Sequence, residues 1–409
     1  MEPDTGTTDT AASQAIRPFR IEIAQSTVDD LRDRVRRTRW PQQPEGTGWA
    51  RGVPVAYLRE LAGHWSETFD WRVQEDRLNE VPQFVTTIEG QDIHFLHVRS
   101  AESDAVPLIL THGWPSTPFE FLDVIGPLTD PRAHGLDPAD AFHVVVPSLP
   151  GYGFSTPTVD PGWGNLFRVA QAWAELMRRL GYEHYAVHGT DVGSGVALLL
   201  GMVDGDRVMG THITGTEPAM PFGPPLDETA HTGQDRIRAE RFNQHQRDEL
   251  GYLHLQATRP QTLAYSLTDS PVAQLAWIAE KFREWTDPER ELPDEAIDRE
   301  ALLTCVSIAW FTGAGGSSAH STYEGMQVYR EMADQSDDSG SEQPPGPPTG
   351  VAVFAADNMI KSVFDPADRI THWSEFDTGG HFPGLETPSL LVGDLAAFFR
   401  GLRPVPASG

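Results

Sequence analysis

The segment His188-Gly189-Thr190-Asp191-Val192-Gly193-Ser194 has residue types and spacing that could do chemistry. Small residues stand two places either side of Asp191. A sharp strand-to-helix turn around an exposed nucleophile needs them, because it leaves no room for side chains there. Esterases put serine at that apex. A carboxylate forms an ester through its own oxygen, so its natural target is an alkyl carbon rather than an acyl carbon. Epoxides and alkyl halides fit that chemistry; lipids and peptides do not. The plain alternative is a turn aspartate, but an apolar run precedes Asp191 and a helical pattern follows it.

Two further residues complete a hydrolytic set. Asp357 follows the apolar run Val351–Phe354, and His381 follows Thr371–Phe376 within Gly379-Gly380-His381-Phe382. Nucleophile, acid, histidine is the chain order of α/β hydrolases. Asp377 competes with Asp357 but lies too near His381 in sequence to orient its ring. His112-Gly113-Trp114-Pro115 is the expected oxyanion-hole loop, with the amides of Trp114 and Val192 aimed at one oxygen. Pro115 restricts Trp114 to extended backbone, which suits such a loop. Opening an epoxide also calls for a proton donor, and a tyrosine stays protonated near neutral pH. Tyr252, Tyr265, Tyr323 and Tyr329 are the candidates, and chemistry alone does not choose among them.

The elements that must position these groups follow from hydrophobic periodicity. Short apolar runs at Pro107–Thr111, Phe142–Val146 and Tyr185–Val187 read as buried strands, separated by helical patterns such as Phe167–Leu180. That rhythm predicts an α/β fold with a mostly parallel central sheet. Before it come a strand at Arg17–Ile23, a helix capped by Ser26 or Thr27 and running to Thr38, a helix at Tyr57–Phe69, and a hairpin over Phe84–Val98 bending at Gly90-Gln91. Helices without strands are expected at Glu240–Gly251, Val272–Trp285, Asp294–Phe311 and Tyr323–Ala333. A closing helix is expected at Leu390–Arg400. The expected organisation is a disordered tail over 1–15, an N-terminal extension over 16–105 and a first core part over 106–215. A helical cap over 216–350 follows, with a flexible linker at 335–350, and then a second core part over 351–409.

Composition narrows the partners. The 409 residues carry a formal net charge of -28, which argues against nucleic acid or an anionic membrane as partner. Cys305, the single cysteine, excludes an intramolecular disulfide and a multi-cysteine metal site, and its apolar surroundings predict a buried, inert thiol. The acidic, polar N-terminus does not read as a signal peptide, and no apolar run approaches the about 20 residues that cross a bilayer. A cytoplasmic location is expected, with a small molecule and water as partners, a homodimer left open, and no metal or organic cofactor.

Several segments together are similar to those of the microsomal-type epoxide hydrolases, including their soluble bacterial members. From about Arg17 onward, Pro18-Phe19, Thr38-Arg39-Trp40-Pro41, Gly52-Val53-Pro54, Asp70-Trp71-Arg72 and Ile93-His94-Phe95 look like that family's N-terminal extension. His112–Pro115, Pro150–Ser155 and Gly379–Phe382 resemble its HGWP, PGYGFS and GGHF segments. The resemblance implies an α/β-hydrolase fold with a helical cap and a wrapping extension. It also implies a nucleophile at Asp191, a water-activating histidine at His381 and a charge-relay acid at Asp357. The cap segment Gly251–Pro260 is similar to the family's GYxHxQxTxP and implies a ring-opening tyrosine at Tyr252. Soluble bacterial relatives include catabolic enzymes and enzymes of natural-product pathways, among them enediyne antibiotic biosynthesis.

Two departures stand out. The family usually has tryptophan after the nucleophile, where this chain has Val192; the space so opened suits a bulky or aryl epoxide. A second ring-opening tyrosine would align with Thr322, one place before Tyr323. One residue turns a helical side chain by about 100°, so Tyr323 is expected to reach the site through a local irregularity. Haloalkane dehalogenase, which also uses an aspartate elbow, and a non-catalytic binding protein on the same scaffold are the competing readings. Val192 removes the halide donor that the first usually needs, and the presence of all three triad candidates argues against the second.

Overall fold

The computed structural model describes residues 15–217, 219, 221–335 and 346–403. Along the described chain run nine strands: β1 (Arg17–Phe19), β2 (Gln83–Ile88), β3 (Gln91–Val98), β4 (Val106–Thr111), β5 (Phe142–Pro147), β6 (Tyr185–Thr190), β7 (Val208–Thr214), β8 (Thr349–Val353) and β9 (His372–Glu375). They form one sheet in the order β1-β2-β3-β5-β4-β6-β7-β8-β9. The first three strands and the β3–β5 pair are antiparallel; from β5 to β9 every neighbour is parallel. Parallel neighbours need crossovers, and helices supply them. The sheet is therefore mixed and mostly parallel, as the alternation of apolar runs predicts.

Side chains alternate across the strands, so the sheet has a core on each face. Leu108, Leu110, Val144 and Val146 join one buried cluster. Ile109, Val145 and Val187 join the other, under the helices Leu166–Arg179 and Val192–Val203. All six residues of β6, the strand that carries the elbow, are buried.

The N-terminal expectations need two corrections. The strand expected over Arg17–Ile23 ends at Phe19. Beyond it, the Ile21 and Ile23 N–H groups donate to Asn79 Oδ1 (2.9 Å) and Glu75 Oε1 (2.7 Å), side chains of the helix Trp71–Asn79, so the backbone leaves the sheet. The first helix runs Gln25–Arg36 with Ala24, not Ser26 or Thr27, as its N-cap. The hairpin turns at Glu89 (φ 50°) and Gly90 (φ 81°), one place earlier than expected. Indole rings join this N-terminal part to later helices. Trp65 Nε1 donates to Ser307 Oγ at 2.8 Å, and Trp71 meets Phe311 edge-on at 4.8 Å.

Between β7 and β8 the chain is helical, as expected, but the boundaries differ. Helices run Gly233–Asp248, Gly251–Gln256, Pro260–Asp269, Pro271–Trp285, Pro293–Ala296, Arg299–Thr312 and Ala314–Gln335. The last begins nine places before the expected Tyr323. Gly313, left-handed at φ 70°, ends one helix and lets the next restart at once. Gly315 and Gly316 then start it because a Cβ on either would press on Gln274 (2.5 Å) or Ala264 (3.3 Å). The linker expected over 335–350 is shorter at both ends: Gln335 still closes a helix, and Thr349 and Gly350 already lie in β8. Its residues 336–345, and residues 1–14 of the expected tail, lie outside the described residues. Among the described residues no helix is long and apolar enough to cross a membrane.

Candidate active site

Asp191 sits between β6 and the helix Val192–Val203 at φ 54°, ψ -123°. Such a conformation costs a non-glycine residue about 1–3 kcal/mol and persists only when its surroundings enforce it. Here they do. A Cβ on Gly189 would lie 2.0 Å from the Gly193 oxygen, and one on Gly193 would lie 2.1 Å from the Thr111 oxygen. The elbow glycines inferred from spacing are thus required by contact.

The carboxylate is held on both sides. Trp114 N–H donates to Asp191 Oδ1 at 2.8 Å. Gly113 makes that approach possible, since a Cβ there would fall 2.3 Å from the same oxygen. Val192 opens its helix, where the first N–H groups have no acceptor within the helix. On the other side, His381 Nε2 stands 3.5 Å from Asp191 Oδ2, an ion-pair contact rather than a hydrogen bond. His381 is fixed by its backbone: its N–H donates to the Trp285 carbonyl (2.8 Å) and its carbonyl accepts from Thr190 Oγ1 (3.2 Å). Burial works against a charged imidazole, but the Asp191 carboxylate outweighs it and holds His381 above its ordinary value.

Asp357 lies after β8 and lines the same cavity as Asp191 and His381. Burial pushes its carboxyl up to about 6, against the pull of the Phe354 N–H and of His381. One oxygen, Oδ2, accepts from the Phe354 N–H at 2.8 Å. Among the described residues no hydrogen bond joins it to His381, so the two act on each other through charge. Glu217 stands nearby, with both oxygens 3.4 Å from Asn358 Nδ2, and burial raises its carboxyl too. Nothing in the sequence patterns singled out Glu217.

Tyr252 comes from the helix Gly251–Gln256. Its ring stacks on Trp114 (4.9 Å, 12°) and meets Trp285 edge-on at 5.4 Å. Burial first, then the charges of Asp191 and Glu217, push the phenol well above its ordinary value, so it stays a proton donor.

Tyr323 is not part of the site. It is 37% exposed and does not line the cavity, whereas Thr322 does. The helix Ala314–Gln335 is continuous through both positions, so the step of about 100° carries Tyr323 outward. The local irregularity expected there does not occur. Of the other candidates, Tyr329 lines the cavity and Tyr265 is 72% exposed. Two lining residues with no role assigned from sequence are Tyr152, inside the PGYGFS segment, and Trp285.

The cavity encloses about 600 Å³. Trp114, Leu149, Leu166, Val192 and Trp285 give it apolar walls, and Glu217, Arg241, His245, Glu249 and Glu284 line another part. Among the described residues, no group of His, Cys, Asp and Glu is arranged to hold a metal ion. Cys305 is buried as expected, and its Sγ donates to the Pro115 carbonyl at 3.5 Å, behind the loop that carries Trp114.

Comparison with known proteins gives consistent results. The family model "Epoxide hydrolase N terminus" matches residues 16–121, and the model "alpha/beta hydrolase fold" matches residues 106–296. A Stigmatella aurantiaca protein assigned as an epoxide hydrolase is 40% identical, over 95% of this chain and 86% of its own. Epoxide hydrolase 1 of Sus scrofa is 33% identical, over 95% and 89%. Among solved structures, the Aspergillus niger epoxide hydrolase superposes with a TM-score of 0.81 at 32% identity, covering 95% of this chain and 97% of that one. The juvenile hormone epoxide hydrolase of Bombyx mori gives a TM-score of 0.82 at 28% identity, with 96% of each chain covered.

Proposed function

We propose a residue-by-residue route for this chain, which belongs to the epoxide hydrolase family, has the α/β-hydrolase fold and converts an epoxide and water to a diol. One observation carries the route. The Asp191 carboxylate sits at the elbow apex with Oδ1 held by the Trp114 amide and Oδ2 facing His381. Oδ2 attacks an epoxide carbon while Tyr252 donates to the ring oxygen, and a hydroxyalkyl ester forms on Asp191. Water, deprotonated by His381, then adds to the ester carbonyl. The Trp114 and Val192 amides hold the oxyanion that develops at Oδ1. Asp357 stabilises the imidazolium through its charge. Collapse frees the diol, and the proton left over returns to the phenolate.

The cavity volume and the small Val192 beside the nucleophile support an apolar, bulky or aryl epoxide. Residues 16–105 serve as an arm that braces the cap, and the helices between β7 and β8 form the cap that supplies Tyr252. Acidic composition and a single buried cysteine fit work in the cytoplasm.

His381→Gln tests the route. It should form the ester and fail to hydrolyse it, so intact mass after mixing with an aryl epoxide should show the protein plus one substrate. Unmodified protein throughout would contradict the covalent ester and the role of His381 together.

A further inference from the structure

The cavity has a phenol on the sheet side as well as on the cap side. Tyr152 lies in the loop after β5, is 5% exposed, and lines the cavity together with Asp191 and Tyr252. Thr322, on the helix Ala314–Gln335, lines the same cavity, close enough for its hydroxyl to act on the Tyr152 phenol. The Thr322 hydroxyl is itself held in place. Its own proton goes to the Ser318 carbonyl (3.0 Å), and it accepts from Gln256 Nε2 (3.2 Å). Gln256 is fixed in turn by Trp277 Nε1 donating to its Oε1 at 3.1 Å. The contacts with Ser318 and Gln256 fix the Thr322 hydroxyl beside Tyr152.

Backbone packing keeps the two together. Ser317 Oγ donates to the Gly151 carbonyl (2.6 Å) and Ser321 Oγ to the Pro150 carbonyl (3.2 Å), tying the residues just before Tyr152 to the turns just before Thr322. A Cβ on Gly151 would press on Ser321 Oγ at 2.8 Å. The Tyr152 ring also meets the His112 ring edge-on at 5.6 Å, and His112 Nε2 accepts the Leu149 N–H. The phenol is thus fixed against the loop that holds Asp191.

From this juxtaposition we propose that Tyr152 is the second acid of ring opening, acting with Tyr252, and that Thr322 is the residue that positions it. The proposal rests on Asp191 being the nucleophile. As the Asp191–carbon bond forms and the carbon–oxygen bond breaks, the electron pair passes to the epoxide oxygen. That oxygen takes hydrogen bonds from both phenols and a proton from one. Hydrolysis of the ester releases the proton that restores the phenolate. Burial, then the charge of Asp191, keep Tyr152 protonated in the free enzyme, against a smaller opposing effect of Thr322. Esterification removes that charge at the moment when a phenolate must be tolerated.

Ester formation is read in the His381→Gln protein by rapid quenching and intact mass, using an aryl epoxide. The parent should form the adduct. Adding Tyr152→Phe should slow it about 100-fold, within the usual range for an acid catalyst, and Tyr265→Phe, at an exposed tyrosine outside the cavity, should leave it unchanged. Thr322→Val, which keeps the phenol, should slow the same step with little change in substrate affinity, and Thr322→Ser should restore it. Adduct formation in Tyr152→Phe at the parent rate would overturn the proposal. Should Tyr152→Phe not fold, parent-like rates in Thr322→Val would overturn it equally. No adduct in the parent would instead remove the Asp191 reading on which the proposal stands.

Discussion

On the proposed route, Asp191 and His381 alternate in charge over one turnover. While Asp191 is a carboxylate, its charge holds the His381 imidazole above its ordinary value. Once Asp191 is an ester that charge is gone, and burial shifts His381 toward the neutral ring against the remaining charge of Asp357; the neutral ring is the form that accepts a proton from water. In Asp191→Asn, which mimics the neutral state, the His381 titration midpoint followed by NMR should fall. An unchanged midpoint would mean that the two side chains are not coupled. Gly113 gives a second test. A methyl at that position would meet Asp191 Oδ1 at 2.3 Å, so Gly113→Ala should displace the carboxylate from the Trp114 amide. Steady-state kinetics should show kcat/KM lowered by about 100-fold, the scale of losing one oxyanion donor, with the melting temperature nearly unchanged.

The elements explain which residues were legible in the sequence. The elbow was, because its glycines answer to contacts within a few residues and to one neighbouring loop. His381 and Asp357 were, because each follows a strand whose apolar run is plain and parallel strands end at one edge. The distribution of Asp357's hydrogen bonds was not, because the Phe354 N–H that takes one is set by the turn itself. Tyr323 was misplaced for a different reason: a helix-borne side chain depends on helical phase, and the helix starts at Ala314 through glycines chosen for close packing. The helix Pro260–Asp269 also escaped notice. Tyr323→Phe should therefore leave kcat/KM unchanged in steady-state assays. Substitution at Gly164 should not be silent, because a Cβ there would lie 2.2 Å from the Ser321 carbonyl of the same helix. Gly164→Ala should lower both the melting temperature and the rate of ester formation by shifting that helix. In the N-terminal arm, Trp71→Ala should cost about 3–5 kcal/mol by chemical denaturation, as expected for a buried indole.

At the scale of the whole molecule, a net charge of -28 coexists with carboxyls buried near His381. Burial pushes Glu120 up to about 7 and Glu386 up to about 8. A carboxyl raised in the folded state contributes stability that is fully present below its unfolded value and is lost as pH rises through the folded one. Buried His94 and His112, lowered to about 3 and about 4, act in the opposite direction: their contribution is present above the unfolded value and lost as pH falls. Comparing Glu120→Gln with the parent cancels the histidines. Its relative stability should rise from about pH 5 to about pH 7, by at most about 1.4 kcal/mol per unit, and then level off. A constant difference across thermal melts at several pH values would contradict the buried, raised state of Glu120. The central claim is that the substrate passes through an ester on Asp191, and a single turnover in heavy-oxygen water tests it most directly. With enzyme in excess over an aryl epoxide, the first diol should carry an unlabelled oxygen drawn from Asp191, and the label should appear in the Asp191 carboxylate. Label in every diol of the first turnover, with none in the protein, would mean that water attacks the epoxide directly.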